Sequence, residues 1–130
     1  MKQIKIAAMI MAMLPFFSFT ILKNVPSFPV AKVNWVKETH DFGEIPKGKP
    51  VSIEFTFTNT GDEPLLIADV IPSCGCTASD YSKEPIAPGK TSDIKITYNA
   101  ASVGSFAKTI TVNFQDEALK KVLNIKGTVK

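Results

Sequence analysis

The chain contains no arginine; all 15 of its basic residues are lysines. Guanidinium forks that grip phosphate or guanine at two points are therefore missing. With no dense basic cluster either, nucleic acid is not an expected partner. The one adjacent pair, Lys120 and Lys121, reads as two solvated strand lysines. Histidine occurs once, at His40, and the four methionines, Met1, Met9, Met11 and Met13, all lie near the start. No Gly-x-Ser-x-Gly segment and no glycine-rich phosphate loop occur, which excludes a serine nucleophile on a strained elbow and a nucleotide cradle. Acidic pairs at Asp62/Glu63 and Asp116/Glu117 sit in turns, where solvated carboxylates are ordinary and nothing buries one acid to raise its pKa. No catalytic residue is expected, and the chain reads as a non-enzyme.

The first feature present is a basic, apolar start. Lys2 and Lys5 lead into the run Ile6 to Leu22, interrupted by Pro15, Ser18 and Thr20 and closed by Lys23. This is the charged and apolar order of a secretory signal. The run falls just short of the roughly 20 residues that a spanning helix needs, and Pro15 would kink such a helix. Residues 1–22 are accordingly read as a signal peptide or, if uncleaved, an N-terminal anchor and the only contact with a membrane. No cysteine follows the run, so acylation by the lipoprotein route is closed. Residues 23–32 are expected to be a linker and residues 33–130 a single domain, located in the periplasm or outside the cell.

The body alternates. Val51, Ile53, Phe55 and Phe57 fall on one face, with Ser52, Glu54, Thr56 and Thr58 on the other, the period of a half-buried strand. Asn59 to Pro64 is a dense run of turn residues, and Leu65 to Ile71 reads as a second strand, expected to form a hairpin with the first. Pro85, Pro88 and Gly89 punctuate the next loop. Alternation then places Ile94, Ile96 and Tyr98 inward. Gly104 opens a strand with Phe106, Ile110, Val112 and Phe114 on one face, interrupted by Lys108, whose head is expected at the rim in water. Gln115 to Ala118 is read as a turn, and the last strand carries Leu123, Ile125 and Val129 inward, with Val122 the exception. Val33 to Val36 and His40 to Phe42 look like a broken first strand. Short strands, regular turn signals and no amphipathic helix predict an all-β fold: an immunoglobulin-like antiparallel β-sandwich of about seven strands. Trp35, Phe42, Phe55, Phe57 and Tyr98 are expected in its core rather than in a ligand strip.

Both cysteines lie in Ser73-Cys74-Gly75-Cys76-Thr77. In an exported protein such a pair is oxidised together, kept reduced by a local reductant, or occupied by a metal. As a disulfide it would staple the loop after the second strand, and closing so small a ring favours a more reducible bond. As thiolates it would hold a soft ion such as Cu(I), completed by His40 or a methionine. As a redox pair it lacks the two-residue spacing and the helix N-terminus of the usual motifs. The staple is the plainest of the three, and no cofactor is otherwise expected. His40, beside Asp41 at a strand start, is read as a structural hydrogen-bonding residue.

Four motifs in order, His40-Asp41-Phe42-Gly43-Glu44-Ile45, then Phe55 to Asp62, then Ser73-Cys74-Gly75-Cys76-Thr77, then Pro88-Gly89, resemble the bacterial domain-of-unknown-function family fifteen-seventy-three. The resemblance runs from about Trp35 to the C-terminus. It implies an exported domain of the abnormal-spindle and hydin immunoglobulin-like type, with no activity to transfer. It also marks His40, Asp41, Phe42, Gly43, Cys74, Gly75, Cys76 and Thr77, and places the family's frequent asparagine of the next-to-last strand at Asn113. Two functional readings follow. One is a non-catalytic binding or scaffolding module of the cell envelope, engaging an envelope or extracellular protein. The other is a thiol-based Cu(I)-binding or redox protein using Cys74 and Cys76.

Overall fold

The computed structural model describes residues 32–130; the signal segment and most of the linker expected before them lie outside the described residues. Eight strands form two four-stranded sheets. They are β1 (Val33–Trp35), β2 (Thr39–Ile45), β3 (Val51–Asn59), β4 (Ile67–Pro72), β5 (Thr77–Tyr81), β6 (Thr91–Tyr98), β7 (Gly104–Phe114) and β8 (Lys121–Val129). The first sheet has the order β1-β3-β6-β5 and the second β2-β8-β7-β4. The result is an immunoglobulin-like sandwich.

Alternation did what the period of two requires. Phe55 and Phe57 on β3, Ile94 and Ile96 on β6, Ile110 and Val112 on β7, and Leu123 and Ile125 on β8 are all fully buried. The two sheets meet through aromatic rings. Phe57 lies 5.6 Å from Phe114 in an edge-to-face pair, and Trp35 closes a three-ring cluster at 4.9 Å from Phe57 and 6.5 Å from Phe114. At the opposite end Tyr98 stacks on Phe106 at 4.0 Å. Offset and edge-to-face pairs of this kind add to the stabilisation from burial alone.

One expectation is corrected and two are refined. The segments β3 and β4 do not form a hairpin: β3 pairs with β6 and β4 pairs with β7, in different sheets. The reason is that Asn59 to Pro64 is a crossover, after which Leu65 makes an isolated bridge with Ile86 before β4 begins. Second, Thr77–Tyr81, in the stretch expected as a loop, is a strand, which brings the about seven strands expected to eight. Its alternation is masked by small and polar residues, of which only Thr77 is fully inside. Third, the turn after β7 contains a short 3₁₀ helix, Glu117–Leu119, capped by Asp116, whose carboxylate accepts from the Ala118 N–H at 3.1 Å.

The broken first strand is observed, with a specific geometry. β1 runs antiparallel to β3, and after a break at Val36 to Glu38 the chain continues as β2 on the other sheet, parallel to β8. Three ion pairs cross toward β8 and its end: Glu38 with Lys121, Asp41 with Lys126, and Glu44 with Lys130. All are solvent-exposed, so each contributes about 0–1 kcal/mol. They fix which strand lies beside β8 more than how stably it lies there.

Asn59, at the end of β3, is 1% exposed. Its Nδ2 donates to the Glu63 and Ile86 carbonyls, both at 2.8 Å, and its Oδ1 accepts from the Gly61 N–H at 3.0 Å. Its backbone N–H donates to the Lys90 carbonyl, and its own carbonyl accepts from Gly89 N–H. One buried amide thus ties the crossover, the segment before β6 and the strand end together.

Two predictions follow from this packing. Phe57→Ala is expected to destabilise the domain by about 3–5 kcal/mol and Thr56→Ala by less than about 1 kcal/mol, read by urea unfolding; equal effects would reverse the assigned face of β3. Asn59→Ala removes both side-chain donors, leaving the Ile86 carbonyl with only its bond from Leu65 N–H, and opens a polar void where the buried amide stood; it is expected to cost about 2–4 kcal/mol. A loss below about 1 kcal/mol in the same assay would show that water replaces the amide.

Candidate functional site

The segment Ser73 to Cys76 is where the chain passes from β4 in one sheet to β5 in the other. Cys74 and Cys76 form a disulfide across it, with Cα atoms 5.3 Å apart. The loop is also held by hydrogen bonds that do not involve sulfur. Ser73 N–H donates to the Thr109 carbonyl at 2.8 Å and its hydroxyl accepts from Thr109 N–H at 3.2 Å. Asn99 N–H donates to the Cys76 carbonyl at 3.0 Å, and Thr77 N–H to the Cys74 carbonyl at 3.4 Å. Both cysteines are half-buried, and Cys76 packs against the core.

Behind the disulfide lies Thr77, only 6% exposed. Its hydroxyl is 3.7 Å from Cys74 Sγ and 3.8 Å from Cys76 Sγ. Gly75 is exposed, takes no positive φ, and has open space where a Cβ would stand. Neither backbone strain nor crowding requires glycine there. Its effect is to leave the disulfide uncovered by a side chain. Lys108, half-buried on β7, precedes the Thr109 that holds Ser73, so the register brings a cationic residue to this end of the sandwich.

His40 belongs to a separate arrangement. It lies on β2, while the cysteine loop leaves from β4, and β8 and β7 stand between these two edges of the second sheet. The structure therefore does not bring His40 to the cysteine pair, and the methionines that were the alternative ligands for Cu(I) lie outside the described residues. Among the described residues no group of three or more histidine, cysteine or carboxylate side chains is placed to hold a metal. The residues around His40 instead shape the strand. Asp41 Oδ1 accepts from the Gly43 N–H at 2.8 Å. Gly43 takes φ +66°, which a side chain would resist, and the pairing with β8 shifts register between Asp41 and Glu44. This bulge turns Phe42 toward Phe106, 6.4 Å away. The bulge also explains Gly127 on β8, where a Cβ would stand 2.9 Å from the Gly43 carbonyl oxygen.

The His40 ring stands edge-on to Phe42 at 4.6 Å, and its Nδ1 accepts from Lys37 Nζ at 3.2 Å. Desolvation lowers its pKa below the ordinary value, the Lys37 charge lowers it further, and Asp41 opposes both. The neutral ring is thus favoured on folding. Its contribution to stability is present above the unfolded pKa of about 6.5 and is lost as pH falls through that value toward the folded one. Asn113, on β7, donates to Asp69 Oδ1 on β4, a cross-strand contact at the surface. Asn59 was the residue that sequence reasoning missed. The available signal was an asparagine closing an alternating apolar strand with a glycine two residues on.

The His40 environment yields a direct check. Its ring resonances are expected to titrate below about pH 6.5, and Lys37→Gln is expected to move the midpoint upward. An unchanged midpoint in the variant would show that the lysine does not face the ring in solution.

Comparison with known proteins bears on the whole domain. No curated protein sequence matches the chain. A protein of unknown function from Porphyromonas gingivalis W83 has a similar structure, with TM-score 0.64 and 19% identity over 81% of this chain and 51% of that one. The secreted serine protease VesC from Vibrio cholerae is similar over 76% of this chain but only 23% of its own, with TM-score 0.59 and 14% identity. The ASH/PapD-like domain 7 of human CEP192 matches over 77% of this chain and 86% of its own, with TM-score 0.59 and 13% identity. The chain thus spans about half of the first of these and about a quarter of the second. At such identities the likeness is one of fold alone. A family model matches residues 33–129, and the chain belongs to DUF1573, a family of proteins of unknown function.

Proposed function

We propose that this protein is an exported, non-catalytic binding or scaffolding module of the bacterial cell envelope, engaging another envelope protein through its loops or a sheet edge. The observation that carries this reading is what the family motifs do. Asp41 and Gly43 form a bulge, Asn59 and Gly61 close a crossover, and Gly89 bonds back to Asn59. Three of the four signatures are thus backbone devices, so what identifies the family is a shape. Backbone devices of this kind hold loops and strand ends rigidly in place, as a binding surface on loops requires.

The sheet edges support the same reading. β5 is a short edge strand whose residues outside the core are exposed or half-exposed, leaving one row of backbone groups to a partner strand. The basic, apolar segment at residues 1–22 supports export.

The experiment that tests this uses the full chain expressed in its bacterial host, followed by fractionation and intact-mass measurement. The expected result is a shortened chain, lacking the apolar run, recovered outside the cytoplasm. A photo-crosslinker at Asp80, an exposed position on β5, is expected to give discrete adducts with envelope proteins, lost when the sandwich is unfolded by Phe57→Ala. Full-length chain retained in membranes through carbonate washing would replace export by anchoring. Cytoplasmic recovery, or no adduct from any edge or loop position, would overturn the proposal.

A further inference from the structure

We infer that the Cys74–Cys76 disulfide is a thiol-exchange site, reduced by a dithiol, with the buried Thr77 hydroxyl placed to receive the sulfur that leaves. This goes beyond the binding role and does not rest on it.

Three observations lead here. The first is that the disulfide is redundant as a staple. A loop closed between residues two apart removes little entropy from the unfolded chain, and the hydrogen bonds from Ser73, Thr109, Thr77 and Asn99 already hold the segment. The second is the position of Thr77. Its side chain is 6% exposed, and its hydroxyl stands almost equally far from the two sulfurs, at 3.7 and 3.8 Å. Disulfide sulfur is a poor acceptor, whereas a thiolate accepts a strong, charge-assisted bond. The hydroxyl is therefore better matched to the reduced pair than to the oxidised one. The third is access. Gly75 places no side chain beside the bond and is itself exposed, while both cysteines are half-buried rather than enclosed.

One thiolate of the dithiol attacks Cys74 Sγ, the Cys74–Cys76 bond breaks, and its electron pair goes to Cys76 Sγ. The Thr77 hydroxyl donates to that thiolate. The second thiolate of the dithiol then attacks its own partner sulfur in the mixed disulfide, releasing Cys74 as a thiolate. The dithiol leaves as a disulfide, oxidised by two electrons, and the cysteine pair is reduced by two. Protons lost by the dithiol return to the pair from solvent. Attack at Cys74 is favoured because Cys76 packs against the core.

The test uses the exported protein with its native disulfide, equilibrated at about pH 9, where thiols ionise, in mixtures of reduced and oxidised dithiothreitol. Alkylation and intact mass then give the reduced fraction. The wild-type pair is expected to be reduced reversibly with the fold retained by circular dichroism. Thr77→Val is expected to shift the equilibrium toward the disulfide by about tenfold, as for loss of one charge-assisted hydrogen bond, while the melting temperature of the oxidised form is unchanged. Thr77→Ser is expected to restore the wild-type equilibrium. A wild-type pair that stays oxidised in excess dithiol, or that unfolds the domain on reduction, would overturn the inference, whether or not the valine variant folds. So would a folded valine variant with the wild-type equilibrium.

Discussion

The buried carboxamide of Asn59 is the interaction on which the arrangement of this sandwich depends. A polar side chain taken wholly out of water must find partners or be strongly destabilising. Here its partners lie on two pieces of irregular backbone: Gly61 and Glu63 in the crossover to β4, and Ile86 beyond β5. The side chain therefore substitutes for the ladder that β3 lacks beyond its last pair. It also fixes the point at which the chain leaves one sheet for the other. Without it the crossover would be held at its two ends, by Thr60 N–H on the Lys32 carbonyl and by the Leu65 to Ile86 bridge, with no side-chain tie between them.

Much of the fold could be read in the sequence because burial has a period there. β3, β6, β7 and β8 each alternate apolar residues along most of their length, broken by Lys108 on β7 and Gly127 on β8, and the large apolar residues of their central stretches are buried. What could not be read was pairing. Alternation states which face is inside but not which neighbour lies beside the strand, so β3 and β4 looked like a hairpin although they lie in different sheets. β5 escaped notice for a related reason. As an edge strand beside β6, it presents Ala78, Ser79 and Asp80 where a central strand would carry branched apolar residues.

The candidate site was legible in composition and opaque in geometry. Two cysteines around a glycine announced chemistry, but the spacing alone left staple, metal and exchange open. The role of Thr77 emerges only when the strand carrying it turns inward beneath the loop. For His40 the opposite held. A lone histidine at a strand start reads as a structural hydrogen-bonding residue, and its ring accepts from Lys37 and stands edge-on to Phe42, while Asp41 directs its carboxylate to Gly43 N–H. Sequence neighbours on a strand point to opposite sides of it, and here that separates the two groups.

The parallel pairing of β2 with β8 has a mechanical meaning. Thr39 lies beside Asn124 and Ile45 beside Val129, so the start of one strand and the finish of the other stand at opposite ends of their shared ladder. A tension entering at Thr39 and leaving at Val129 pulls along the strands rather than across them. The bridging hydrogen bonds then bear the load together in shear, instead of parting one after another as in a peeled hairpin. A module tethered at one end and attached to its partner at the other would resist extension for as long as that ladder holds.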